Sequence, residues 1–144
     1  MPIANYRTEV PVARSISEIS GLLVKHGASS ITVDYEKETP IGMFFIFETP
    51  SGKLPFQVPA RIYNVQQVME RDQLQGRNKA GQPARVAWRI LRDWIRAQIA
   101  IVETQMVQFE EVFLPYLMID SKNTLFVQMK DKGYLLTSGE HGDR

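Results

Sequence analysis

The densest cluster of potential chemistry lies between residues 77 and 96. Arg77, Lys79, Arg85, Arg89, Arg92 and Arg96 fall there, and Asp93 is the only acid among them. A guanidinium presents a planar fork of donors that matches phosphate oxygens. On a helical wheel with Arg85 at zero, Arg89, Arg92 and Arg96 sit at roughly 40°, 340° and 20°, a single stripe about three turns long. Asp93 can neutralise Arg89 across one turn, which leaves most of the charge uncompensated. Four arginines in line, beside a loop carrying Arg77 and Lys79, are spaced to follow a nucleic-acid backbone. Trp88, at roughly 300° on the same wheel, borders the stripe and is placed to stack on a base. The same residues fit a plainer reading. A charged stripe opposite an apolar arc is also a solvated helix edge, and Trp88 and Trp94 also suit a core. The arginines can equally meet an acidic protein surface, or Glu103 or Glu110 of a second copy.

Other chemistry is sparse. The chain has no cysteine, so disulfides, thiolate nucleophiles and cysteine zinc sites are absent. Of its two histidines, His26 falls at a helix end and His141 near the C-terminus, without metal-ligand spacing. There is no G-x-S-x-G, no Walker motif and no G-x-G-x-x-G. The acidic pairs Glu110–Glu111 and Glu36/Glu38 read as a helix edge and a solvated turn. The expectation is a non-enzymatic protein without cofactor or metal. The formal net charge is +1, from 17 basic and 16 acidic residues, so any affinity for phosphate must come from local clustering. No apolar run has the length of a signal peptide core or a membrane span, and a cytoplasmic location is expected.

The elements that must position these residues can be read from periodicity. The arginines belong to a long helix over 83–109, entered through the Gly81–Gln82 breaker and Pro83 in its first turn. Its apolar arc, Ala87, Ile90, Leu91, Trp94, Ile95, Ile99, Ile101, Val102 and Met106, covers about half the circumference, wider than a surface helix needs. That arc predicts burial on several sides, with only the arginine edge in water. A short turn over 110–114 follows, stopped by Pro115.

Upstream, Ser15 and Glu18 have capping-box spacing for a first helix that ends at His26 and Gly27. Three strands are predicted over 30–36, 42–48 and 53–58, an antiparallel meander with Pro55 favouring an edge position. In the first strand Thr32, Asp34 and Glu36 share one face. The second, GMFFIFE, is apolar on both faces, so its second face also wants cover. Together with the wide arc of the long helix, this points to a homo-oligomer. A second helix over 60–74, the basic loop 75–82 and a small C-terminal hairpin over 125–136 complete the order. The chain reads as one α+β domain over 1–144, with an extended lead-in at 1–14 and a mobile tail at 138–144. The leading helix–three strands–helix order matches double-stranded RNA-binding domains in topology, without their sequence motifs.

Four segments carry a further likeness: LLVKHGASSITVDYE, FIFETPSGKLPFQVPA, RVAWRILRDWIRAQIAIVE and EEVFLPYLM. Over roughly residues 15–120 the chain resembles a family of small bacteriophage- and prophage-encoded proteins. RVAWRILRDW and the FLPY end are the most specific parts. The resemblance brings no catalytic or binding residues. It implies action in an infected bacterial cell, either on nucleic acid or as a counter-defence protein, such as an anti-CRISPR, that binds a host protein or sequesters a nucleotide signal.

Overall fold

The structure, a computed structural model, describes residues 1–135. Helices and one three-stranded antiparallel sheet make an α+β fold. In chain order the elements are α1 (Val12–His26), β1 (Ala28–Glu36), β2 (Thr39–Thr49), β3 (Gly52–Pro59), α2 (Ile62–Arg71), α3 (Gln82–Glu103), α4 (Phe109–Phe113), a 3₁₀ turn (Leu114–Tyr116) and α5 (Leu125–Asp131). No helix among the described residues is long and apolar enough to cross a membrane.

The meander follows from alternation. Ile31 and Val33 of β1, Met43, Phe45 and Phe47 of β2, and Leu54, Phe56 and Val58 of β3 pair across the register on one face. That face is the floor of the core, and Met43, Phe45, Phe47, Phe56 and Val58 are buried there. Ile19 and Leu23 of α1 and Trp88, Ile95 and Ile99 of α3 close the core from the helical side. At the end of α1, Gly27 (φ 131°) turns the chain from helix into strand. A Cβ there would lie 3.1 Å from the Phe47 ring.

The long helix is shorter than its sequence pattern. It ends at Glu103, and the chain then reverses into α4, which returns two phenylalanines to the core. Phe109 stacks on Phe47 at 3.5 Å and lies edge-on to Phe45, and Phe113 is edge-on to Phe45 and Trp94. Aromatic burial on a five-residue helix outweighs continuation of α3 past Thr104. Met106 and Ile101, placed in the apolar arc by the wheel, end up exposed.

Two further expectations are corrected. The Ser15–Glu18 capping box does not form. α1 begins three residues earlier at Val12, and Ser15 is buried within the helix. The C-terminal hairpin is instead α5, whose N-cap Thr124 accepts a hydrogen bond from the Val127 N–H. The tail expected at 138–144 lies outside the described residues.

Candidate functional site

The arginine stripe is where sequence and structure part most sharply. The edge of α3 that carries it does not face open solvent but packs along α1. Glu18 of α1 reaches into it and takes three guanidinium groups: Arg14 from its own helix at 3.1 Å, Arg89 at 3.1 Å and Arg92 at 2.8 Å. Arg92 also bonds Asp93, which in turn accepts from the Asn5 side chain at 2.9 Å. The side chains of Arg89 and Arg92 keep only 17% of their exposure. Desolvation pushes the Glu18 carboxyl up, but the Arg14 hydrogen bond and the Arg89 and Arg92 charges outweigh it and hold it below its usual value. Asp93 is likewise held low against desolvation by Asn5 and Arg92. The expected pairing of Asp93 with Arg89 is replaced by pairing with its neighbour Arg92.

Trp88 is corrected too. It is fully buried, and its indole N–H donates to the Pro40 carbonyl at 3.0 Å, so its ring cannot receive a base. A buried tryptophan needs a partner for that N–H, and the start of β2 supplies it.

The remaining predicted residues divide. Arg85 folds back on its own helix start, bonding the Gln82 side chain at 2.8 Å and the Ala80 carbonyl at 3.1 Å. Arg77 donates to the Leu74 carbonyl. Lys79 is exposed, and with Arg7, Gln75, Gln82 and the acid Glu9 it borders a shallow depression at the α2–α3 corner. Arg96 is exposed one turn beyond Arg92 and carries no ion pair among the described residues. A basic corner of Arg7, Arg77, Lys79 and Arg85 thus survives, without the line of arginines that was to extend it.

The second face of the sheet offers a different kind of site. Thr32 and Asp34 of β1, Gly42 and Phe44 of β2, and Pro55 and Gln57 of β3 share it by register. The helices that close the core lie on the opposite face. The chain from Leu117 to Asn123 rises beside β3 as a wall. Met118 donates its N–H to the Pro55 carbonyl at 2.8 Å, and Leu117 bridges Phe56. Asp120 holds the tip of that wall by accepting from the Lys122 and Asn123 N–H groups, which keeps its carboxyl below the usual range.

Between β1 and this wall runs an open groove of about 730 Å³ over Thr32, Phe44, Gln57, Met118 and Ser121. A narrower arm of about 250 Å³ continues past Gly42 to Arg61, Tyr116, Lys122 and Phe126. Both arms share Asp34 and Gln57, whose side chains meet across β2 at 2.9 Å. Two strand spacings separate their backbones, roughly 10 Å. Gly42 lies on β2 beside this bond, and a side chain there would crowd the β3 backbone. The Asp34 carboxylate lies 3.8 Å from where a Cβ would stand, and the Val58 carbonyl only 3.0 Å from it.

The groove is electrically balanced. Asp34 and Asp120 line the wide arm, and Arg61 and Lys122 join Asp34 in the narrow one. Half-buried Phe44 and Met118 and exposed Phe126 supply its apolar surface. It has neither the single-sign lining that tracks a phosphate chain nor a nucleophile beside a base. Among the described residues no three His, Asp or Glu side chains converge as metal ligands. Alternation along β1 already put Thr32 and Asp34 on one face. The doubly apolar second strand and the alternation of the third likewise marked the face of Phe44 and Gln57, whereas Arg61 and Lys122 had no such signal, because a distant part of the chain brings them there.

A second constellation ties the C-terminal ends of α1 and α3 together. His26 donates from Nδ1 to the Leu22 carbonyl at 2.8 Å and meets Glu103 through Nε2 at 2.9 Å. With acceptors on both ring nitrogens the imidazolium is favoured. The Glu103 bond first, then the Leu22 carbonyl, raise the His26 pKa above its ordinary 6.5. No family model matches this chain, and no curated protein or solved structure was found similar to it.

Proposed function

We propose that the protein is a non-enzymatic binding protein that engages a polypeptide segment of another protein through the groove on the face of its sheet opposite α1 and α3. One observation carries the reading. An aromatic and aliphatic floor is left uncovered by the helices and bounded by a pinned wall, with polar groups of both signs along its length. A mixed peptide, whose backbone needs donors and acceptors and whose side chains need apolar surface, matches that lining. The likeness to bacteriophage and prophage proteins supports a host protein as the partner and a counter-defence or host-takeover role in the infected bacterium.

The test is retention of a host protein from nuclease-treated bacterial lysate, followed by binding of the purified partner. Gln57→Arg and Ser121→Arg project new bulk and charge into the groove from positions outside the core. Each is expected to weaken partner binding at least tenfold while leaving the melting temperature near wild type. Unchanged affinity in both variants would overturn the reading.

The basic corner favours a second reading, nucleic-acid binding centred on Arg7, Arg77, Lys79 and Arg85, with Arg96 as an outlying contact. Its support is that none of the four corner residues pairs with a carboxylate among the described residues. Salt-dependent binding of DNA or RNA, lost in a Arg77→Glu/Lys79→Glu variant and kept in Gln57→Arg, would favour this reading over the first.

A further inference from the structure

The sheet has two edges, and the chain treats them differently. The outer edge of β3 is occupied: Leu117 bridges Phe56, and Met118 bonds Pro55. The outer edge of β1 is not. Among the described residues, no backbone group of Ala28–Glu36 bonds anything beyond the ladder with β2. Unpaired N–H and C=O groups along an edge strand are a template for another strand. The segment ASSITVDYE contains no proline and no lysine to discourage this.

The strand is also limited in a specific way. Register shifts between Ala28 and Ser30 and between Asp34 and Tyr35 bracket a regular ladder of five residues, Ser30–Asp34, whose midpoint is Thr32. A strand paired with its own copy about a twofold axis at Thr32 has a definite set of neighbours. Ile31 faces Val33, and Ser30 faces Asp34. The acids Asp34 and Glu36 then lie opposite Ser30 and Ala28 rather than each other, so no like charges oppose.

Two of the exposed apolar residues fit the same axis. Val24, in the last turn of α1, and Tyr35, at the far end of β1, are each 59% exposed. Both lie on the helix-covered side of the sheet, at opposite ends of the strand. An antiparallel twofold reverses those ends, which carries Tyr35 of each copy toward Val24 of the other.

We infer that the β1 edge binds a second copy of this chain, antiparallel about Thr32, to give a twofold dimer with one continuous six-stranded sheet. The wall across Pro55 and Phe56 interrupts the β3 edge, which disfavours growth of the assembly beyond two chains. The two grooves then lie on the same side of one sheet. Thr32 and Asp34 belong to both the paired edge and the groove lining, while Val24 and Tyr35, which the test alters, lie outside that lining.

The full-length chain tests it by sedimentation across a concentration series. Wild type is expected to approach twice its 16.5 kDa mass as concentration rises. Val24→Glu alone and Tyr35→Lys alone should each weaken self-association at least tenfold. An equimolar mixture should restore a heterodimer, because the twofold sets the new carboxylate against the new ammonium. The chain has no cysteine, so Thr32→Cys supplies a single thiol at the axis. It should oxidise to a covalent dimer faster than a Ser51→Cys control in the β2–β3 turn. A wild-type chain that stays monomeric to millimolar concentration, or Thr32→Cys that cross-links no faster than Ser51→Cys, would overturn the dimer. Binding of a host segment along β1 by a monomeric chain would count as that outcome too.

Discussion

Phe44 and Phe45 are neighbours on β2 and meet opposite environments. Phe45 faces the helices, stacks near Phe56 at 5.6 Å and lies edge-on to Phe109 and Phe113. Phe44 faces away from them, half-buried in the floor of the groove. The two residues share one type and one strand. What separates them is whether α4 or only the short wall at Leu117–Asn123 lies opposite. The α1–α3 seam teaches the same lesson for charge. Arg89 and Arg92 have the makings of a phosphate-binding row, yet Glu18 lies across from them and uses their hydrogen bonds inside the molecule. In this protein the residues freest to meet a partner are those whose own chain puts nothing opposite them.

Substitutions can break that comparison, and the largest effect is expected at the core. Phe45→Ala should cost about 3–5 kcal/mol in chemical denaturation, the range for deleting a buried phenyl ring. Phe44→Ala should cost less than half of that in stability and weaken partner binding instead. Equal stability losses at the two positions would mean that the second face is as well covered as the first. Trp88→Phe comes next. It leaves the Pro40 carbonyl without its indole donor, and a loss of about 1–3 kcal/mol is expected from an unsatisfied buried group. A neutral result would mean that the ring is not locked in place by that bond.

The seam is probed by Glu18→Gln, which keeps size and removes the charge. It should lower the melting temperature by less than Phe45→Ala, with the loss shrinking as pH falls. The sign follows from the carboxyl being held below its ordinary 4.5 in the fold: its contribution is present above that value and disappears on acidification through the folded pKa. A Glu18→Gln variant that also gains affinity for nucleic acid would show that this carboxylate masks a phosphate-binding row.

The smallest effect belongs to His26 and Glu103. The His26 pKa is raised in the fold, so its contribution is full below 6.5 and is lost as pH rises through the folded value. The Glu103 carboxyl is lowered, so its part is present above 4.5 and lost on acidification. The pair therefore stabilises most between those two values. His26→Gln should flatten the fall in melting temperature across neutral pH, and a slope unchanged from wild type would exclude this pair as its source.

Much of the fold was legible from local patterns. Alternation in ITVDY and KLPFQV, with the doubly apolar GMFFIFE between them, marked the meander, and Gly27 and Pro83 marked one helix end and one helix start because backbone sterics act locally. The errors share a cause. Ser15 and Glu18 have the spacing of a cap, but three earlier residues join α1 and the pair turns inward, toward α3. Leu125–Met129 reads as a strand, but Thr124 caps a helical start there and the segment coils as α5. Of the seven residues picked for binding, Trp88 is in the core and Arg89 and Arg92 are held by Glu18, while Arg77, Lys79, Arg85 and Arg96 remain at or near the surface. Nothing within Arg85–Arg96 reveals a carboxylate some seventy residues earlier in the chain.

Local patterning suffices for the α+β class of the protein: a first helix, a three-stranded meander, a second helix and a long cation-edged one. Those features depend on periodicity, propensity and residue type, which operate within a few residues of each other. Long-range packing settles which face of the sheet lies bare, which strand edge stays open and which arginines go unpaired. Each of those depends on what a remote segment places opposite, and contact across space carries no signature in local spacing.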